Sequence, residues 1–438
     1  MTGTSTPLIL LSFVDQSEPE PGGSTVYRWG DLTCAGDDLL SALIKFFEPD
    51  RVVLFGEGDG PAPASSNDIP IRWQAIPAGE SEADLWTVFS LLCSVVEPGD
   101  RVIVEIQNGS RPLSFITFVA IQYLRETKGV QVERICSTVP GPNGESLIRD
   151  LSDFVTVLDW MRGVHAFTQH VDAEDLSVLM GAVQNKAYRD GIGHPLSLKP
   201  WGHALSLFAQ AVRLSRPREV MHAADILTSH FAEVTTEVQQ LAPPLAPVMD
   251  RLQEVTAMGR GGSPDRLSWE ALSIGLNLIE YQCRHDLIMQ AVTLAREWCL
   301  NYLILELDYH PDQWLVWEVR DEIGRTITGA ALEVRHHPYE GTTLSVRFTQ
   351  LEQKNDLVAL WIVLADLRND IAHCGMNLQQ KSAVTIQGRT GDMVERLRHL
   401  VASSSCRVPG GRSGDDRSPE LPPGEGERGD GEGDQPEE

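Results

Sequence analysis

The chain reads as two architectures in series, an α/β domain followed by an α-helical one. Short apolar runs alternate with helix-length ones through the first third. From about residue 150 the apolar spacing turns helical, and 42% hydrophobic residues in a chain of 438 suffice for two or three cores.

The runs follow in order: LILLSFV (8–14), a helical stretch near 36–47, RVVLFGE (51–57), DLWTVFSLLCSVV (84–96), RVIVEIQ (101–107), PLSFITFVAIQYLRE (112–126) and VQVERI (130–135). Strands of about five to seven residues separated by helices of about ten to fifteen imply βαβ units and a mostly parallel, doubly wound, Rossmann-like sheet. Pro98-Gly99-Asp100 breaks the chain before the strand at 101–106, and Asn108-Gly109 turns it afterwards. Residues 1–150 form this domain, 151–200 a helical linker, and 201–403 a helical domain. Within the latter, QWLVWEV, RTITGAALEVRHH and TTLSVRF alternate like strands, so 304–353 is expected to be a small β insertion. The Gly/Pro/Glu-rich residues 404–438 are expected to form a disordered acidic tail.

Sixty-two acidic against 36 basic side chains give a net charge of −26, which excludes broad counterion-releasing contact with nucleic acid. Any such contact must be local. The seven cysteines are scattered and never spaced C-x-x-C, which indicates neither a disulfide framework nor a zinc knuckle and fits a reducing cytoplasm. The run Leu357–Ala365 falls short of the ~18–20 residues of a membrane span, and no basic region precedes the apolar N-terminal segment. A cytoplasmic protein without membrane contact is expected. His165, His170, His336 and His337 lack cysteine or carboxylate partners at ligand spacing, so no metal is expected. GEGDG (56–60) leads into PAPASSND rather than a helix and reads as a loop. Trp298 and Trp361 read as core.

Chemistry concentrates in LADLRNDIAHCGMN (364–377). On a helix Asn369 and His373 share a face, while Arg368 stands about 140° from His373. Gly375 is placed to be the C′ residue that ends the helix. An arginine to hold a phosphate and an imidazole to move a proton can cut RNA through its own 2′-hydroxyl without a metal. Taken as spacing alone, a basic last turn that complements the helix dipole is the simpler account.

The fuller run, Arg368-Asn369-Asp370-Ile371-Ala372-His373, resembles the RN-x3-H signature of the HEPN ribonuclease superfamily, set on the penultimate long helix of a helical domain. The resemblance implies a homodimer in which two motifs face each other across one composite, metal-independent active site. It makes Arg368 and His373 catalytic and Asn369 a positioning residue, with Asp370 structural.

A second candidate is EIQNGSRPL (105–113), since open α/β sheets bind ligands just past their strand ends. Asn108-Gly109 supplies a tight turn, Pro112 suits a first helical turn, and free N–H groups with Arg111 make a small anion site. An ordinary βα turn is equally compatible. The stretch resembles the D-x-T-H-G-F-R motif of CARF domains: Gly109 and Arg111 match, while Gln107 and Asn108 replace threonine and histidine. Residues 151–167 and 285–298 resemble further segments of the CARF–HEPN ribonucleases of type III CRISPR systems, so four ordered matches span most of 5–400.

That resemblance implies a sensor domain binding a cyclic oligoadenylate, cyclic tetra-adenylate being the ring expected first, through Gln107, Asn108, Gly109, Arg111 and, at the end of strand one, Ser12. The activated helical domain would cleave single-stranded RNA with little selectivity and no cofactor. The acidic VDQSEPEPGG (14–23) departs from the family, and Asp15, Glu18 and Glu20 would have to point away from a polyphosphate. Two alternatives stay open. One is a non-catalytic nucleotide-sensing scaffold with a CARF-like domain. The other is a nucleotide-metabolising Rossmann enzyme, which lacks the expected G-x-G-x-x-G turn after strand one.

Overall fold

Leucine- and valine-rich runs become buried strands because each has two faces to cover. A computed structural model describes residues 6–14, 25–36, 38–58, 60, 69–106, 111–338, 341–376 and 378–404. The elements begin with β1 (Leu8–Phe13), β2 (Thr25–Trp29), β3 (Leu32–Gly36), α1 (Leu39–Phe47), β4 (Arg51–Glu57), β5 (Ile71–Ile76), α2 (Glu82–Ser94), β6 (Arg101–Glu105), α3 (Arg111–Lys128), β7 (Gln131–Pro140) and β8 (Ser146–Asp150). They form one eight-stranded sheet in the order β3-β2-β8-β7-β6-β1-β4-β5.

Strands β7, β6, β1, β4 and β5 run parallel, so the doubly wound centre agrees with the sequence pattern. Alternate residues of β1 divide between the faces: Ile9, Leu11 and Phe13 pack with α2 and α3, and Leu10 packs with α1. β2–β3 and β7–β8 are antiparallel pairs that extend one edge; the periodicity had signalled β7 but not β2, β3, β8 or, at the opposite edge, β5. The first pair turns at Gly30-Asp31, with Gly30 at φ 58°, a conformation that glycine adopts without a Cβ clash.

GEGDG has a packing explanation for its glycines. A Cβ at Gly56 or Gly60 would run into the Trp73 ring, whose indole N–H donates to the Gly58 carbonyl at 2.9 Å.

The remaining elements are helical: α4 (Asp153–His170), α5 (Glu174–Arg189), α6 (Leu198–Arg213), α7 (Pro217–Ser229), α8 (Phe231–Leu241), α9 (Met249–Thr256), α10 (Trp269–Arg284), α11 (Ile288–Glu306), α12 (Trp317–Val334), α13 (Ser345–Thr349), α14 (Lys354–Ala372) and α15 (Ala383–Ser404). The chain divides into two compact units, residues 1–210 with 226–256, and 211–225 with 257–438. The stretch 151–200, expected as a linker, is helical and groups with the sheet unit. There Arg125 of α3 pairs with Asp159 of α4 at 2.8 Å, and the Glu237 carboxylate accepts from the N–H groups of Leu196, Ser197 and Leu198 at the start of α6.

In the second unit, α14 packs against α11, α12 and α15. The expected β insertion at 304–353 is not found: its described residues are helical, turn or irregular, and α12 is its longest element. Thr and Ile favour strands only weakly, and here Ile323, Thr326, Ile327, Ala330 and Ala331 are buried at helical spacing, so packing overrides propensity. Trp298 and Trp361 are buried core residues as expected, their indole N–H groups donating to the Leu272 carbonyl and to Thr328. No helix among the described residues is long and apolar enough to cross a membrane. The expected tail, 404–438, lies outside the described residues except for the backbone of Ser404, and the acidic loop side chains Asp15, Glu18 and Glu20 lie outside them too.

Candidate functional site

Helix α14 is amphipathic in a way that decides where its charges go. Leu357, Leu360, Trp361, Leu364, Leu367 and Asp370 form its buried stripe, recurring at three- and four-residue spacing. Arg368, which continues the line of Trp361 and Leu364 at the end of that stripe, and Asn369 and His373, which lie off it, are all exposed at the C-terminal end of the helix. The structure therefore brings the three sequence-predicted residues onto one short, solvent-facing stretch.

The helix end is a Schellman motif. The Gly375 N–H donates to the Asp370 carbonyl at 2.9 Å and the Cys374 N–H to the Ile371 carbonyl at 3.0 Å. His373 is thus the C-cap, and its N–H donates to the Asn369 carbonyl at 3.1 Å. The expected C′ glycine is displaced by one position: Cys374 is C′, at φ 54°, and Gly375 follows it at φ 67°. Asp370 anchors the turn from beneath. Its carboxylate is buried and accepts from the Lys381 N–H at 3.4 Å, with the Lys381 ammonium at 4.0 Å. Around the cap, Met376 is 86% exposed and Leu378 fully so.

One cation was missed by the sequence reading. Arg296 of α11 lies over the Trp361 ring, 4.4 Å from guanidinium carbon to ring centre. Burial pulls its pKa below the ordinary value, and the neighbouring Arg368 charge pulls it further in the same direction. The stretch LAREW was visible, but nothing in one-dimensional spacing ties residue 296 to residue 368.

The second candidate lies in the sheet unit. β1 is flanked by β4 on one side and β6 on the other, which makes the ends of β1 and β6 the switch point where open sheets hold ligands. There Ser12 is buried, and its hydroxyl donates to the Glu105 carboxylate at 3.2 Å, joined by the Phe13 N–H at 3.4 Å. Glu105 is wholly buried. Ser114 in the first turn of α3 donates to the Ile106 carbonyl at 2.6 Å, tying that helix to the strand end. Arg111 is the first residue of α3, whereas Gln107, Asn108 and Gly109 lie outside the described residues.

Fold and sites together define a two-unit protein, a mixed α/β sheet unit whose β1 and β6 ends are joined through Glu105 and a helical unit with an exposed Arg–Asn–His end. Residues 156–258 match the family described as CRISPR-associated protein MJ1674, second domain. The CRISPR-associated protein MJ1674 of Methanocaldococcus jannaschii is 24% identical over 115 residues, 25% of this chain and 18% of that relative. The family match covers helices from α4 to α9 and contains neither the β6 end nor α14.

Proposed function

We propose that the chain is a metal-independent endoribonuclease acting in CRISPR defence, of the CARF–HEPN kind, cytoplasmic and homodimeric. The observation that carries the reading is the exposed grouping of Arg368, Asn369 and His373 at the end of an otherwise buried helix. The similarity of 156–258 to a CRISPR-associated domain supports the biological setting. Met376 and Leu378, exposed beside His373, are side chains that a second copy would cover.

In this reading Arg368 holds a non-bridging oxygen of the scissile phosphate and stabilises charge as phosphorus becomes pentacoordinate. The RNA 2′-oxygen forms a bond to phosphorus and gives up its proton, while the bond to the 5′-oxygen breaks and that oxygen takes a proton up. His373 serves in this proton transfer. The products are a 2′,3′-cyclic phosphate and a 5′-hydroxyl. Asn369, on the face of His373, positions the strand. The sheet unit senses a cyclic oligoadenylate at the ends of β1 and β6, with Gln107, Asn108, Gly109, Arg111 and Ser12 as its candidate contacts.

The test is cleavage of a fluorescent single-stranded RNA in EDTA, with cyclic tri-, tetra- and hexa-adenylate added in turn. Wild type is expected to cleave with one ring size. His373→Ala should lose roughly 100- to 10,000-fold in rate, and Arg368→Ala roughly 100- to 1,000-fold. Cleavage abolished by EDTA, or products ending in 3′-hydroxyls, would overturn the mechanism. A ring that binds while neither wild type nor variant cuts would favour the sensing scaffold.

A further inference from the structure

Arg296 is a half-buried cation beside another cation, and no ion pair accounts for it. Among the described residues neither Arg296 nor Arg368 forms a salt bridge, while the carboxylate next in sequence, Glu297, is engaged by Arg320. The Arg368 charge acts against Arg296 more strongly than Glu297, itself held by Arg320, acts for it, so an anion reaching both arginines would be favoured there. The ring beneath Arg296 fixes the guanidinium against α14. Trp361 precedes Arg368 by seven residues on α14, two helical turns, so the two share a face about 10 Å apart along the axis. Trp361 is itself held, its indole N–H donating to Thr328 at 3.2 Å.

We propose that Arg296 binds a backbone phosphate of the RNA strand adjoining the scissile one, its guanidinium stacked on Trp361 along the face of α14 that leads to Arg368. The inference rests on the ribonuclease reading and adds to it a phosphate subsite on α11, outside the RN-x3-H run. Stacking suits this role, because a flat guanidinium held on an aromatic face keeps its N–H fork free at the edges for phosphate oxygens. In a chain of net charge −26, such a pair of arginines is the kind of local contact the substrate requires.

Binding of a labelled single-stranded RNA is measured across a salt series on the His373→Ala protein, with and without cyclic tetra-adenylate, alongside Arg296→Gln and Arg296→Lys made in the same background. Loss of one phosphate contact should weaken binding and flatten the slope of log affinity against log salt by about 0.7, the value for a single strand. Arg296→Gln is expected to do both, with a roughly three- to tenfold loss at low salt, and Arg296→Lys to keep the slope because it keeps the charge. Thermal melts of each variant separate a folding defect from a binding one. If the parent binds RNA and Arg296→Gln keeps its affinity and slope, the subsite is wrong and the ribonuclease reading stands. If the parent binds no RNA at any salt and wild type cuts none, both fall.

Discussion

At the scale of single residues, Glu105 and Asp370 show how a buried carboxylate can serve a site without entering the chemistry. Glu105 accepts from Ser12 and from the Phe13 N–H, so it joins β1 to β6 at the point where a ligand would meet the sheet. Removing it leaves buried donors unsatisfied. Glu105→Ala should cost about 1–3 kcal/mol in urea denaturation; a change below about 0.5 kcal/mol would show that the strand ends do not depend on it. Asp370 does the corresponding work under the α14 cap. Ser12 could be chosen from sequence as a residue at a strand end, but that its hydroxyl is turned to a carboxylate 93 positions away could not.

At the scale of elements, the end of α14 is a compromise. Its Schellman turn places a cysteine, not a glycine, at the left-handed C′ position, with φ 54°, where a Cβ crowds the backbone. Cys374→Gly should therefore raise stability by roughly 0.5–1 kcal/mol and, on the proposed ribonuclease reading, leave cleavage intact, because His373 keeps its C-cap geometry. A lower melting temperature would mean that the exposed thiol makes a contact worth more than the relief. The same element explains why the motif was legible: Arg368, Asn369 and His373 are close in sequence and helical geometry alone gathers them. Helix α12 was misread for the opposite reason. Its Thr and Ile residues look strand-like until the bundle surface that buries them is known.

At the scale of the molecule, both units bury thiols whose ionisation folding opposes. Burial pushes Cys136 in the sheet unit up to about 12, and in the helical unit Cys299 to about 12 and Cys283 to about 11, from an ordinary value of 9.0. A pKa raised on folding contributes stability that is complete below the unfolded value and disappears as pH rises through the folded one. The thiols' contribution should accordingly hold up to about pH 9 and fall between about pH 9 and 12. Urea midpoints measured at pH 8, 9, 10 and 11 would record it. A level midpoint beyond pH 9 would mean that these thiols ionise as freely folded as unfolded.

Local sequence pattern alone determined strands β1, β4, β6 and β7, most of the helical second half and the Arg368–His373 run, because each depends on neighbours within a few positions. The edge of the sheet beyond β7 was decided by tertiary structure, since β2 pairs in parallel with β8 across more than a hundred residues. So was the helical state of 317–334, which takes its preference from the surface it packs on. The same holds for the sites. Spacing set Asn369 and His373 on one face, whereas the meeting of Arg296 with Trp361 and of Ser12 with Glu105 required the chain to bring distant positions together, a choice made by packing and hydrogen bonding that no local pattern encodes.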